Sequence, residues 1–228
     1  AAAPPARWGA NHPAEPPPAA RRPNHPRMKF GKLIRASVSS RMPQWEGSVL
    51  QYKRLKQAIK ALVSEAGGAE PDVLVERFTT ILDEEVERVN DFYMDQIEEA
   101  VIILHSLKQH IAQIVTASDA PAAHQLRVAS QQSLVSFHWS LLLLQSFVVI
   151  NFTAVVKILK KFDKKLGTLI GRTLRASYIG ALTELPFYRC QALGGLVEEV
   201  EQQFVVLEGR AAASVRPAEQ PHAALASS

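Results

Sequence analysis

From Phe30 onward, apolar residues recur at three- and four-residue spacing, and no stretch alternates apolar with polar for long. That spacing places side chains on one face of an α-helix, whereas alternation would indicate strands. The pattern therefore predicts an all-α chain. A short helix is expected over residues 31–40, a break at Pro43, and a second helix over 45–64 ended by Gly67 and Gly68. Pro71 and Asp72 open a long third helix to about residue 116, with Leu74, Phe78, Ile81, Val89, Phe92, Ala100, Ile103, Leu107 and Ile111 as its apolar face. After a turn at Asp119 and Pro121, a fourth helix of similar length is expected over 122–166, with Gly167 as its C-cap. Shorter helices follow over 169–185 and 186–207. Two antiparallel helices of about 45 residues would each extend about 65 Å. The expectation is an elongated bundle.

The flanks read differently. Residues 1–27 hold eight of the fourteen prolines and little that can pack, so they are expected to be a disordered extension. Met28 stands where ordered sequence begins, which suggests that 1–27 lie upstream of the natural start. Residues 209–228, rich in Ala, Ser and Pro, read as a disordered tail. The most hydrophobic segment, 134–150, is interrupted by Ser136, His138, Ser140, Gln145 and Ser146, and reads as a core helix, not a transmembrane segment.

Charge sharpens the picture. The formal net charge of +4 hides strong segregation. Residues 1–60 carry twelve Lys/Arg against two acids, and 131–180 carry seven against one. Between them, residues 61–130 carry four against thirteen acids. Two basic segments separated by an acidic one are expected to converge on one surface. Cys190 is the only cysteine, which excludes an intramolecular disulfide and points to the cytoplasm or nucleus.

The densest basic feature lies at the end of the fourth helix. At about 100° per residue, Lys157, Lys160, Lys161 and Lys164 fall at about 0°, −60°, +40° and −20°. Lys165, at about +80°, lies beyond that stripe. Val155, Ile158, Leu159, Phe162 and Leu166 take the opposite face, so the apolar side packs while the lysines stay wet. Each like-charge pair costs a helix about 0.2–0.5 kcal/mol. Four lysines beside a single acid, Asp163, tolerate a repulsion that a multivalent anion would relieve. On the second helix, Tyr52 and Lys56 are four apart and share a face, with Lys60 a turn further. A phenol beside an ammonium can hold a phosphate oxygen from two directions. A basic surface of this kind fits a phosphorylated small molecule, an anionic membrane surface or nucleic acid.

Catalytic chemistry finds no support. The seven histidines are scattered, and no Gly-rich phosphate loop, nucleophile elbow or zinc motif occurs, so neither catalytic nor metal-ligating residues are assigned. The acids Asp83, Glu84, Glu85, Glu87, Asp91, Asp95, Glu98 and Glu99 read as a wetted face of the third helix.

Three separated motifs resemble one family. Met28-Lys29-Phe30-Gly31-Lys32, followed by Pro43-x-Trp45 and Tyr52-Lys53-x-Leu55-Lys56-x-x-Ile59-Lys60, is similar to the opening of the SPX domain. Glu84-x-x-Glu87-x-Val89-Asn90-x-Phe92 resembles its middle, and Asn151-Phe152-Thr153 with the segment 157–164 resembles its closing signature. The resemblance implies an N-terminal helical hairpin packed on the long bundle helices, an SPX domain over 28–182 and a C-terminal helix over 183–208 completing the bundle. It implies a non-enzymatic phosphate-status sensor whose pocket for inositol polyphosphates or pyrophosphates is built from Lys29, Tyr52, Lys56 and Lys161. Lys157, Lys160 and Lys164 would form the adjacent lysine surface. No cofactor and no direct contact with nucleic acid is implied. With no effector expected after the last helix, the chain resembles stand-alone members of plants and algae. In those, the loaded domain binds and inhibits a MYB/coiled-coil phosphate-starvation transcription factor, which places the protein in the nucleus, the cytoplasm or both. Arg54 stands where many members have an acid, and is expected only to add positive charge.

Overall fold

The structure, a computed structural model, describes residues 29–116, 121–171 and 173–214. The proposed disordered extension 1–27 and the end of the tail lie outside the described residues. All regular elements among the described residues are helical.

Helix α1 (Phe30–Arg41) buries Ile34 and Val38 one turn apart, and Met42 donates its N–H to the Val38 carbonyl to close it. Pro43 opens a short 3₁₀ turn, Pro43–Trp45, where the spacing had suggested a helix start. The second helix begins later: α2 spans Tyr52–Glu65 and buries Leu55, Ile59 and Leu62. Residues 46–51 cannot join it, because the Leu50 and Gln51 N–H groups donate to side chains of the long helices. Trp45 marks that crossing, edge-on to both Phe92 and Phe147 at 5.6 and 6.0 Å between ring centroids.

Helix α3 (Pro71–Thr116) starts with proline at its first position, where the missing N–H costs nothing. Helix α4 (Pro121–Phe162) runs antiparallel to it. Phe78 stacks on Phe162 at 4.5 Å while Phe92, further along α3, meets Phe147, further back on α4. The buried seam of α3 follows Leu74, Phe78, Leu82, Val86, Val89, Tyr93, Ile97, Ala100, Leu104 and Ile111. Ile81 and Phe92 are only half-buried, and Ile103 is exposed, one position off the seam that apolarity alone suggested. Glu85 lies inside the seam, not on a wetted face.

The chain does not stop at Gly167. An i→i+5 turn, Asp163–Gly167, continues α4 into α5 (Thr168–Ile170), and Gly171 caps the end with a left-handed φ of 68°. The expected helix over 169–185 is interrupted before α6 (Arg175–Leu182). After α7 (Pro186–Arg189), α8 (Gln191–Ser214) packs against both long helices and runs past residue 208, the expected boundary of the tail. An ion pair between Lys108 and Glu199 ties it to α3.

By length and composition, the helical stretch His124–Gly167 would suffice to cross a membrane, contrary to the reading of its polar interruptions. Within the protein, its inner face (Leu134, Phe137, Leu141, Leu144, Phe147) is buried.

Candidate functional site

The basic residues of the N-terminal hairpin surround a cleft of about 640 Å³ between α1 and α2. Lys29, Tyr52 and Lys56 all line it, so three of the residues singled out in the sequence come together. Lys32, Arg35 and Lys53 line it as well. Arg35 was not anticipated, although its position one turn after Lys32 on α1 was a usable signal.

The cleft depends on close approach of the two helices. A Cβ at Gly31 would come within 3.3 Å of the Tyr52 ring, so glycine lets the ring lie against the α1 backbone. Phe30 meets Tyr52 edge-on at 5.2 Å, and Lys157 Nζ stands 5.7 Å from the Phe30 ring centroid. That cation–π contact carries the site from the hairpin to the end of α4. Burial pushes the Tyr52 phenol pKa above its ordinary value; a tyrosine O–H is a donor at neutral pH in any case.

The α4 lysines form the second half. α2 packs against both α4 and the turn at Asp163–Gly167. Val155, Ile158, Leu159, Phe162 and Leu166 are all fully buried, which leaves Lys157, Lys160 and Lys164 exposed and Lys161 half-buried on the outer face. None of Lys157, Lys160, Lys161 and Lys164 lines the α1–α2 cleft, so Lys161, expected in the pocket with Lys29, Tyr52 and Lys56, stands outside the cleft with the other α4 lysines. An i→i+5 turn rotates less per residue than an α-helix. Lys165 therefore swings back towards the stripe that a regular helix would have carried it past.

Pairing divides the cations into two groups. Among the described residues, Arg54, Arg77, Arg88, Arg189 and Lys108 each pair with a carboxylate. Lys29, Lys56, Lys157, Lys160, Lys161 and Lys164 do not among the described residues, and neither do Lys32, Arg35, Arg41, Lys53, Lys60, Lys165 and Arg175. Asp163, the acid among the lysines, instead accepts the Leu174 N–H at 2.8 Å and anchors the start of α6.

Arg54 corrects an expectation. It adds no free charge to the cleft, because its guanidinium donates to Glu85 and Glu84, each at 2.9 Å. Glu85 is 1% exposed, and burial alone would raise its pKa. The Gln51 N–H, Arg88 and Arg54 outweigh that and hold it below the usual carboxylate value. Asn151, within the closing signature, is also fully buried. Neither burial was visible in the sequence, because each depends on partners far along the chain.

Comparison with known proteins agrees with this geometry. The SPX domain model matches residues 115–176, the segment that carries the lysine stripe. SPX domain-containing protein 3 of Oryza sativa subsp. indica is 32% identical over 179 residues, covering 76% of this chain and 62% of the rice protein. SPX domain-containing protein 1 of Arabidopsis thaliana is 30% identical over 186 residues, covering 76% of this chain and 69% of its own length. The solved SPX domain of Chaetomium thermophilum glycerophosphodiester phosphodiesterase 1, in complex with inositol hexakisphosphate, superposes with a TM-score of 0.57 at 26% identity. That match covers 79% of this chain and 99% of the fungal one. With the hairpin, the paired long helices and the lysine stripe all in place, the chain belongs to the SPX domain family.

Proposed function

We propose that this protein is a non-enzymatic phosphate-status sensor that binds an inositol polyphosphate or pyrophosphate through Lys29, Tyr52, Lys56 and Lys161, with Lys157, Lys160 and Lys164 as the adjacent surface. The observation that carries the reading is the set of lysines without ion pairs, drawn from the hairpin and α4 and joined through Phe30, beside the Tyr52 donor. Lysines held together with few acids beside them, Glu46 at the cleft and Asp163 at the stripe, favour a ligand that presents several phosphates at once, since one polyanion relieves several repulsions. The fungal SPX domain bound to inositol hexakisphosphate supports the choice of ligand class.

Output then passes through a partner whose affinity depends on ligand. By similarity to plant SPX domain-containing proteins, the partner is a MYB/coiled-coil phosphate-starvation transcription factor, bound and inhibited in the nucleus or cytoplasm. Linkage requires partner and ligand to tighten one another by the same factor. A pull-down from nuclear extract, with and without an inositol pyrophosphate, tests this reading. Wild type should retain such a factor only with ligand, and the Tyr52→Phe/Lys56→Ala/Lys161→Ala variant should not retain it at all. Identical capture by both proteins, regardless of ligand, would make the chain a constitutive scaffold.

A further inference from the structure

Residues 46–51, between the 3₁₀ turn and α2, are held by side chains of both long helices. From α4, Asn151 accepts the Leu50 N–H on Oδ1 at 2.8 Å and donates its own amide to the Phe147 carbonyl at 2.8 Å. From α3, Glu85 accepts the Gln51 N–H on Oε2 at 2.9 Å. Arg88 donates to the Gly47 and Val49 carbonyls at 2.8 and 3.1 Å, and to Glu85 at 2.6 Å. Arg54, in the first turn of α2, donates to the same carboxylate. Tyr52 follows directly, its own N–H turned back onto the Leu50 carbonyl at 2.8 Å.

We propose that Glu85, Arg88 and Asn151 are positioning residues of the anion site. They seat residues 46–51 on the long helices and so set where the first turns of α2 present Tyr52 and Lys56. The proposal rests on the reading of the cleft as an inositol polyphosphate site. Glu85 cannot serve that site through its charge, since a carboxylate repels a polyanion. Its three donors instead fix the segment from which α2 starts. A donor array already in place loses less freedom on binding than one that must be ordered by the ligand. The effect on affinity therefore comes from preorganisation, with no contact to the ligand.

The full chain, titrated with inositol hexakisphosphate at several salt concentrations, tests this together with amide exchange in the absence of ligand. Glu85→Gln keeps an oxygen for the Gln51 N–H but loses the charge that holds the two arginines. Arg88→Lys keeps a charge beside Glu85 but cannot fork to the Gly47 and Val49 carbonyls. It supplies the measurement should Glu85→Gln fail to fold. Both variants should bind about tenfold more weakly, exchange the Leu50 and Gln51 amides faster, and keep the salt dependence of wild type. Lys161→Ala should lose affinity with wild-type exchange and a shallower salt dependence. The sign at Glu85 is decisive, because removing a negative charge would by electrostatics alone tighten the anion. Wild-type or tighter binding by Glu85→Gln and Arg88→Lys, or weaker binding without faster exchange, overturns the proposal. If wild type itself fails to bind, the reading of the cleft falls and this proposal with it, while the exchange data still report whether the lock exists.

Discussion

Arg54 and Arg88 each reach the buried carboxylate of Glu85, whereas Lys157, Lys160, Lys161 and Lys164, on the neighbouring long helix, reach none among the described residues. The two groups differ in chemistry as well as in pairing. A guanidinium presents a planar fork that suits a carboxylate and backbone carbonyls together, and Arg88 uses it on Glu85, Gly47 and Val49. An ammonium is a compact, mobile, strongly hydrated charge, suited to a ligand that comes and goes. The arginine cluster builds the domain, and the lysine cluster leaves charge available. Pairing therefore marks the cations that build the fold, and the clustering of unpaired lysines marks where charge is left available.

The largest expected effect breaks the lysine side of the comparison. Lys161→Ala should weaken binding of inositol hexakisphosphate by about 1.5–3 kcal/mol, the range for a hydrogen bond to a charged group. Its unfolding midpoint in urea without ligand should stay close to wild type. Calorimetry and a denaturant titration on the same preparation separate the two quantities. Lys165 is a poor negative control, since the wide turn at Asp163–Gly167 returns it towards the stripe.

The arginine side should break in the opposite way. Glu85→Ala strips the Gln51 N–H and two guanidinium groups of their common acceptor, and should lower unfolding free energy by about 1–3 kcal/mol. The loss should appear in denaturant melts with no ligand present. A variant as stable as wild type would remove Glu85 from the architecture.

A pH series sharpens the same contrast. The Glu85 pKa is held below its unfolded value of about 4.3, so its contribution is present above that pH and is lost as pH falls through the folded value. The stability gap between wild type and Glu85→Gln should therefore shrink on acidification. A gap that is constant or widens would show that the charge of Glu85 does not stabilise the fold.

How far these regions were legible in the sequence follows from how local they are. The lysine stripe and its apolar back face lie within twelve residues, and helical geometry alone placed Val155, Ile158, Leu159, Phe162 and Leu166 in the core. Tyr52 and Lys56 share a face for the same reason. The arginine lock was not legible. Glu85 sits among nine other acids on α3, and its burial depends on Gln51 and Arg54, contributed by the hairpin. Asn151 carried a motif position but no hint that it would capture the Leu50 amide 101 residues away. The start of α2 failed for a related reason, since the amides that would have extended it are taken by those distant acceptors. The i→i+5 turn left no trace in apolar spacing, because Leu166 packs inward on either geometry.

The smallest expected effect tests whether the lysines repel one another. Lys160→Gln should raise ligand-free stability by about 0.2–0.5 kcal/mol, the scale of one like-charge helix pair, while weakening anion binding. Added salt should erase the stability gain. A loss of stability instead would mean that Lys160 contributes to packing.

The most direct test of the central claim compares two anions on wild-type protein at matched, moderate salt. Calorimetry should give micromolar or tighter binding of inositol hexakisphosphate, weakening steeply as salt rises, and far weaker binding of orthophosphate. Orthophosphate offers one cluster of charge and cannot neutralise lysines from the hairpin and α4 together. Equal affinity for the two anions would contradict the account, because it would show that the unpaired lysines act singly and form no site.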